Sequence, residues 1–91
     1  MWWDTVVPWG KYGFEIDGDI GKCIKSNSGK FAVGDIILSI EKVQGNVFFG
    51  KQIFTDGHWY DVSGRLEHDA LHMSGGGWKW QMKRIAVGTP L

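Results

Sequence analysis

The side chains best suited to chemistry in this chain are three histidines and a single cysteine. His68 and His72 are four residues apart, a chelating spacing on a helix, but on an extended strand that separation is about 13 Å. His58 follows a different turn, and Cys23 has no second cysteine with which to form a zinc site. No histidine lies near Cys23 in the sequence to activate its thiol. We therefore predict no metal site and interpret Cys23 as a small apolar packing residue.

Two pairs of carboxylates are candidates for general acid–base catalysis. Asp17 with Asp19, and Glu67 with Asp69, each flank a predicted turn, where an Asp side chain usually hydrogen-bonds its own backbone. The run Gly75–Gly77 does not have the form of a phosphate-binding loop, because no Lys-Ser/Thr pair and no predicted helix follow it. We expect a protein that is not an enzyme and that uses no cofactor.

The composition narrows the remaining classes of function. The 91 residues, 10.2 kDa, suffice for one domain, which we predict to span 1–91. Ten Lys and Arg balance ten Asp and Glu, which disfavours a nucleic-acid-binding protein and a polybasic membrane-surface protein. The sequence shows neither a signal peptide nor an apolar run of membrane-spanning length, and its single cysteine suits a reducing compartment. We expect a cytoplasmic protein with no nucleic-acid partner and no membrane partner.

Turn signals recur along the chain at the spacing typical of all-β domains. We predict two-residue turns at Gly45-Asn46 or Gln44-Gly45, at Asp56-Gly57, at His68-Asp69 and at Gly75-Gly76. These turns pair Ile53 with Tyr60, and they place Phe49 opposite Gly64, where an aromatic ring covers a strand glycine. With all four turns in place, one face stays apolar across five strands, and a slip of one residue at any turn would break that face.

The front of the chain leaves its register open. A turn at Asp17-Gly18 has either two residues or, with Asp19, three, and only the longer loop puts Ile20 and Ile24 on the face of Tyr12. We interpret residues 1–10 as a Trp-rich arm outside the meander and 87–91 as a flexible tail. The predicted fold is all-β: an antiparallel up-and-down meander of seven or eight short strands, forming a curled sheet or a small barrel.

The predicted inner face collects most of the apolar side chains. Its members are Ile36, Leu38, Ile40, Val47, Phe49, Ile53, Tyr60, Val62, Leu66, Leu71, Met73, Trp78, Trp80 and Met82. An eight-stranded barrel is either filled by such side chains or holds one small ligand, and both alternatives stay open. In a ligand-binding barrel, Tyr60, Trp78 and Trp80 form an aromatic wall. Lys51 and Arg84 then face inward as anion anchors, or lie at the barrel ends and reach water.

The predicted outer face carries two rows of side chains that cross neighbouring strands. One row contains Ile37, Phe54 and Trp59, and the other contains Val43, Phe48 and Arg65. A contiguous apolar row on a wet face needs a cover. The arm, with Trp2, Trp3, Val6, Val7 and Trp9, is one cover, a second copy of the chain is another, and scattered exposed aromatics are the third alternative. Because Trp and Arg are enriched at interface hot spots, we favour a homo-oligomer interface, formed by Trp2, Trp3, Trp9, Ile37, Val43, Phe48, Phe54, Trp59 and Arg65.

The segments Gly64–Leu71 and Gly75–Trp80, followed by Arg84, make up most of the last third of the chain. Together they resemble the closing hairpins of small lipocalin-like (calycin-like) bacterial β-barrels. Trp9-Gly10 matches only part of the Gly-x-Trp start of the first strand in such barrels. The resemblance implies a hydrophobic-ligand or regulatory binding module, and an origin as a mobile gene-cassette product is a further hypothesis.

The two functional hypotheses belong to different classes. The first is a non-enzymatic interaction module that self-associates through the outer apolar patch, as a homo-oligomer or with a protein partner. The alternative is a barrel that binds a small hydrophobic ligand in an aromatic-lined cavity.

Overall fold

The computed structural model describes residues 2–7, 10–26 and 29–85, and their regular secondary structure is entirely β-strand. The strands are β1 (Trp2–Val7), β2 (Gly10–Asp17), β3 (Ile20–Ser26), β4 (Ile36–Gln44), β5 (Val47–Ile53), β6 (Trp59–Glu67), β7 (Ala70–Gly75) and β8 (Trp78–Ile85). Each strand pairs antiparallel with the next, and β1 pairs with β8, so the meander closes into a barrel. The predicted all-β antiparallel class is confirmed. Within the described ranges no helix is long and apolar enough to cross a membrane.

The Trp-rich N-terminus is part of the barrel. Trp3 of β1 lies opposite Phe14 of β2 and Arg84 of β8, and its side chain is completely buried. The predicted arm outside the meander is therefore wrong for Trp2 and Trp3. Without β1, strands β2 and β8 would each present an unpaired edge, and β1 removes both. Trp9 and the tail 87–91 lie outside the described residues.

Three turns lie at or next to their predicted positions. Gly45-Asn46 joins β4 to β5, and His68-Asp69 joins β6 to β7. The third turn is Gly76-Gly77 and not Gly75-Gly76, so Met73 lies opposite Trp80 and not opposite Trp78. Both glycines have positive φ, which glycine adopts without steric cost. The turn lies one residue later than predicted, so each β7 residue has a partner two residues further along β8. Because side chains alternate with a period of two along a strand, every side chain stays on its predicted face.

The connection between β5 and β6 differs from the prediction and turns β5 over. Ile53 lies opposite Trp59, so the loop is residues 54–58 and not the two-residue turn Asp56-Gly57. The loop is three residues longer than predicted, and because three is an odd number, the two faces of β5 are exchanged. Phe48 and Gln52 are buried, whereas Phe49 and Lys51 are exposed.

Strand β4 adapts to the inverted β5 through a bulge. The register shifts between Ile40 and Lys42, so that Glu41 has no partner in β5. Ile40 and Leu38 consequently lie opposite Gly50 and Gln52, on the inside. The predicted inward positions of Phe49 and Lys51 are therefore wrong, as is the predicted outward position of Phe48.

A second bulge explains why Ile37 is buried. Gly21 pairs with Leu38 and Lys22 pairs with Ile36, which leaves Ile37 without a partner in β3. A bulged residue can turn out of the strict alternation of the strand, and both Ile37 and Leu38 are completely buried. The predicted outward position of Ile37 and the predicted inward position of Ile36 are both wrong.

The front hairpin takes neither of the two predicted loops. Asp17 pairs with Ile20, so the loop is Gly18-Asp19, with Gly18 at positive φ. A bulge between Gly13 and Phe14 leaves Ile24 without a partner in β2. The sequence pattern could not select this register, because both predicted loops were anchored one residue too early.

The core fills the middle of the barrel. Its completely or almost completely buried side chains are Trp3, Phe14, Cys23, Ile37, Leu38, Leu71, Met73 and Met82. They come from six of the strands, which places the packed centre between two barrel ends with different character. We call the end with the turns at 18–19, 45–46 and 68–69 the turn end. The end with the segments 29–35 and 54–58 and the turn Gly76-Gly77 is the loop end.

Candidate ligand-binding site

The turn end of the barrel contains an apolar pocket of about 210 Å³. We call it the turn-end pocket. Its described lining residues are Trp3, Ile16, Gly18, Ile40, Val43, Gly45, Asn46, Val47, Phe48, Leu66 and Leu71. None of them carries a charge, and Asn46 is the only one of these residues with a polar side chain. The pocket is partly open, so a small molecule has a path to it from solvent.

Six strands contribute to this pocket, because the inward side chains nearest the turns point toward one another. Phe48 reaches into it as a consequence of the inverted β5, and its ring lies over Gly64 of β6, where a Cβ atom would stand 2.3 Å from the ring. Val43 pairs with Phe48 on the same face but is 65% exposed, which places it at the mouth. Trp3 and Leu71 are buried and line the side of the pocket that faces the core.

The loop end is filled, and its interior is polar. Tyr12, Gln52 and Trp80 are buried there beneath Phe31 and Phe54, around a space of only about 10 Å³. Such a space holds about one water molecule. The rings of Phe54 and Trp80 are 5.7 Å apart and those of Tyr12 and Trp80 are 6.3 Å apart. This aromatic cluster closes the loop end and leaves no room for a ligand larger than a water molecule.

Burial dominates the electrostatics of this cluster. It raises the pKa of the Tyr12 hydroxyl well above its usual range, while Gln52 and Trp80 beside the hydroxyl oppose that shift. Among the described residues, neither the Tyr12 hydroxyl nor Gln52 Oε1 has a partner in full hydrogen-bonding geometry. Tyr12 therefore stays neutral in the folded protein, and the cluster offers no acid or base near neutral pH.

The structure does not bring the predicted ligand-binding residues together. Trp80 lies in the filled loop-end cluster, and Tyr60 packs beside it against Phe54 at 4.6 Å between ring centroids. Trp78 is 52% exposed. Lys51 lies outside the barrel, 3.9 Å from Asp61, because β5 is inverted. Arg84 is exposed at the turn end, 3.7 Å from Asp69.

The predicted interface residues are also separated. Ile37 and Phe48 belong to the core, Val43 lines the turn-end pocket, and Phe54 is half-buried against the core. Trp59 and Arg65 remain on the outer surface. The two contiguous apolar rows therefore do not exist, since each loses one member to the barrel interior. Sequence reasoning missed the turn-end pocket for the same reason, because it depends on Phe48 pointing inward.

The described residues contain no group of three or more His, Cys, Asp or Glu side chains that could hold a metal ion. His72 Nε2 lies 3.7 Å from Glu67 Oε2, which is also 3.3 Å from Arg65. All three side chains are at least one-third exposed, so these ion pairs contribute little to stability.

Comparison of the chain with protein-family models, with curated proteins and with solved structures finds no match. The lipocalin-like resemblance thus finds support in the closed antiparallel barrel and not in any relative.

Proposed function

We propose that this protein is a non-catalytic binding module that takes a small apolar ligand in the turn-end pocket. The observation that carries the proposal is the uncharged, partly open pocket of about 210 Å³ at one end of an otherwise filled barrel. Ligand sites are typically concave and mostly apolar, with few polar groups. The turn-end pocket meets this description, with the side chain of Asn46 near its mouth.

The size of the pocket limits the ligand. An apolar cavity of about 150 Å³ is large enough for benzene, so about 210 Å³ suits a substituted benzene or a short branched hydrocarbon group. At roughly 0.6 kcal/mol per non-hydrogen atom, p-xylene gains about 5 kcal/mol, which corresponds to a Kd of about 0.2 mM. A cognate ligand with a group reaching the mouth would bind more tightly.

The proposal is tested by titrating the ¹⁵N-labelled protein with p-xylene and following the amide chemical shifts by NMR. We expect saturable shifts that cluster at the turn end, around Gly18, Gly45 and Leu66, with the loop end unchanged. Shifts that do not saturate, or that are spread evenly over the barrel, contradict the proposal.

A pair of valines supplies matched variants for this titration. Val43 lines the pocket, whereas Val33, in the 29–35 segment, is not among its lining residues, and their side chains are 65% and 67% exposed. Val43→Asp places a charge against the bound hydrocarbon and is expected to weaken binding by about tenfold or more. Val33→Asp is expected to leave the affinity unchanged, and an equal loss in both variants counts against the turn-end pocket.

Self-association is the second candidate function. Trp59 remains 46% exposed on the outer face and lies opposite Ile53, and exposed Trp is a frequent interface anchor. We propose that any contact between copies centres on Trp59. Light scattering across a dilution series should then give a multiple of 10.2 kDa, which Trp59→Asp lowers and Val33→Asp does not. A wild-type mass of 10.2 kDa at every concentration rules this function out.

A further inference from the structure

The inverted β5 changes the outer surface as well as the core. Phe49 points outward and is 42% exposed. Its cross-strand neighbours form one continuous row over five strands, Lys42, Phe49, Ser63, Ser74 and Lys79. With strands about 4.8 Å apart, this row is about 19 Å long. An aromatic ring and two hydroxyls thus lie between two ammonium groups.

A second row runs beside the first toward the turn end. It consists of Gln44, Val47, Arg65, His72 and Gln81, again as direct cross-strand pairs. The two rows together contain three permanently cationic side chains and no carboxylate. We call this surface the β4–β8 face.

The β4–β8 face is concave between β5 and β8, and Lys42 and Phe49 lie beside this concave part and not among its lining residues. A shallow groove of about 680 Å³ crosses it, lined among others by Ser63, Arg65, Ser74 and Lys79. Glu67, which lies outside both rows, is 3.3 Å from Arg65. No carboxylate among the described residues forms an ion pair with Lys42 or Lys79. The first row is therefore positive at both of its ends, and the groove contains the positive charge of Lys79, although the whole chain has a formal charge of zero.

We infer that the β4–β8 face binds single-stranded nucleic acid. Such binding without sequence preference needs a positive groove that follows the backbone and an exposed ring on which a base stacks. Lys42, Arg65 and Lys79 supply the positive charge, and Phe49 supplies the ring between them. The hydroxyls of Ser63 and Ser74 can donate to phosphate or base oxygens. A small anion would use the cations but would leave Phe49 without a role.

This surface was not visible in the sequence. The β8 strand offers Lys79 and Gln81 on its outer side, but no exposed aromatic lies between them. The aromatic comes from β5, three strands away, and it points outward only because of the five-residue loop at 54–58 and the bulge at Glu41. The face lies on the outside of the barrel, and of its two rows only Val47 also lines the turn-end pocket.

Fluorescence anisotropy of a labelled oligothymidylate of about 12 nucleotides tests the inference, since site sizes run from roughly 4 to 16 nucleotides. We expect saturable binding to the full chain, with a Kd on the order of 10 µM at about 50 mM salt. Three phosphate contacts give a slope of log K against log salt of about −2. An anisotropy that does not rise, or binding that is insensitive to salt, overturns the inference.

Two pairs of variants separate this face from general electrostatic attraction. Phe49→Ala should raise the Kd by about fivefold or more, whereas Phe49→Tyr keeps a ring and should bind as the wild type does. Lys79→Gln should make the salt slope less negative by about 0.7. Lys22→Gln removes an exposed lysine of β3, outside the face, and should leave the slope unchanged.

Other results assign the face differently. If Lys22→Gln and Lys79→Gln change the salt slope equally, the oligonucleotide is attracted to the protein electrostatically without a defined site, and the inference is overturned. Light scattering on the same proteins identifies a contact between copies, because the mass would then exceed 10.2 kDa and Phe49→Ala would lower it. That outcome also overturns the inference and assigns the face to a second copy of the chain.

Discussion

Substitution of Gly64 tests the packing of β5 against β6 directly. A Cβ atom at Gly64 would stand 2.3 Å from Cζ and 2.4 Å from Cε2 of Phe48, and 2.9 Å from Sδ of Met73. Met73 ends in a flexible side chain that can move, but the Phe48 ring is confined by the core. Gly64→Ala therefore has to displace a buried ring.

The expected cost follows from two opposing effects. Overpacking a core typically costs about 1–3 kcal/mol, and replacing a strand glycine by alanine returns about 0.5–1 kcal/mol of conformational entropy. We expect Gly64→Ala to lower the free energy of unfolding by about 1.5 kcal/mol net, which lowers Tm by roughly 6–12 °C in a domain of this size. Urea unfolding followed by tryptophan emission gives this difference.

A double-mutant cycle identifies which aromatic ring covers Gly64. In the Phe48→Leu background the ring atoms are gone, so Gly64→Ala should become neutral or stabilising by about 0.5 kcal/mol. In the Phe49→Leu background its full cost should remain, because Phe49 points outward beside Ser63. A cost that disappears with Phe49→Leu, or a Gly64→Ala change that is neutral in the wild type, refutes the inverted β5.

Three further predictions concern titratable side chains. The Tyr60 hydroxyl donates to Asp56, which lowers the pKa of Asp56 and raises that of Tyr60, so Tyr60→Phe should raise the Asp56 pKa in a carboxyl NMR titration. This bond stabilises the 54–58 loop above about pH 4 and below about pH 10, and it is lost as the pH falls through the folded pKa of Asp56 or rises through that of Tyr60. Burial raises the pKa of Tyr12, so the ultraviolet titration of native Tyr12→Phe should match that of the wild type up to about pH 11. Burial also raises the pKa of the Cys23 thiol, which donates to the Lys25 carbonyl at 3.3 Å. We therefore expect Cys23 to react with a disulfide reagent only when the protein unfolds. Rapid reaction of the native protein would contradict the burial of Cys23.

The second half of the barrel could be predicted because its turns carry strong local signals. At His68-Asp69 the observed pairs Leu66–Leu71 and Gly64–Met73 are the predicted ones. At the triple glycine the turn lies one residue later than predicted and the cross-strand partners move by two residues, which changes the pairing but no face. At these two turns, local turn chemistry fixes the parity of the neighbouring strands even where the exact partners differ, whereas the turn predicted at Asp56-Gly57 has the wrong parity.

Strand β5 could not be predicted from hydrophobicity, because its two faces compete. One face offers Val47, Phe49 and Ile53, and the other offers only Phe48 with Gly50 and Gln52. A hydrophobic pattern selects the first, whereas the structure buries the second. The available signal was Gly50: a Cβ atom there would stand 1.9 Å from the Ser39 carbonyl oxygen, so the strands approach too closely for any side chain.

Strand glycines that face the barrel interior are therefore better guides to register here than apolar alternation. Gly21, Gly50 and Gly64 are all buried, and each would bring a Cβ atom within 3 Å of a neighbour in the adjacent strand. A glycine inside a strand often marks such a close approach. A barrel whose centre already holds large side chains has room at these positions only for hydrogen.

The turn-end pocket and the β4–β8 face have a common structural origin in β5. Phe48 and Phe49 are adjacent, so the face that places one ring in the pocket places the other on the outer surface. A slip of one residue would exchange them, so that Phe49 would line the pocket and Phe48 would lie on the outer surface. The Gly64 cycle therefore bears on both proposals before either ligand is tested. If Phe48 is not the ring over Gly64, the residues assigned to both sites are wrong and the outer row loses the pairing on which it is built. If Phe48 is coupled to Gly64, each site is tested by its own titration.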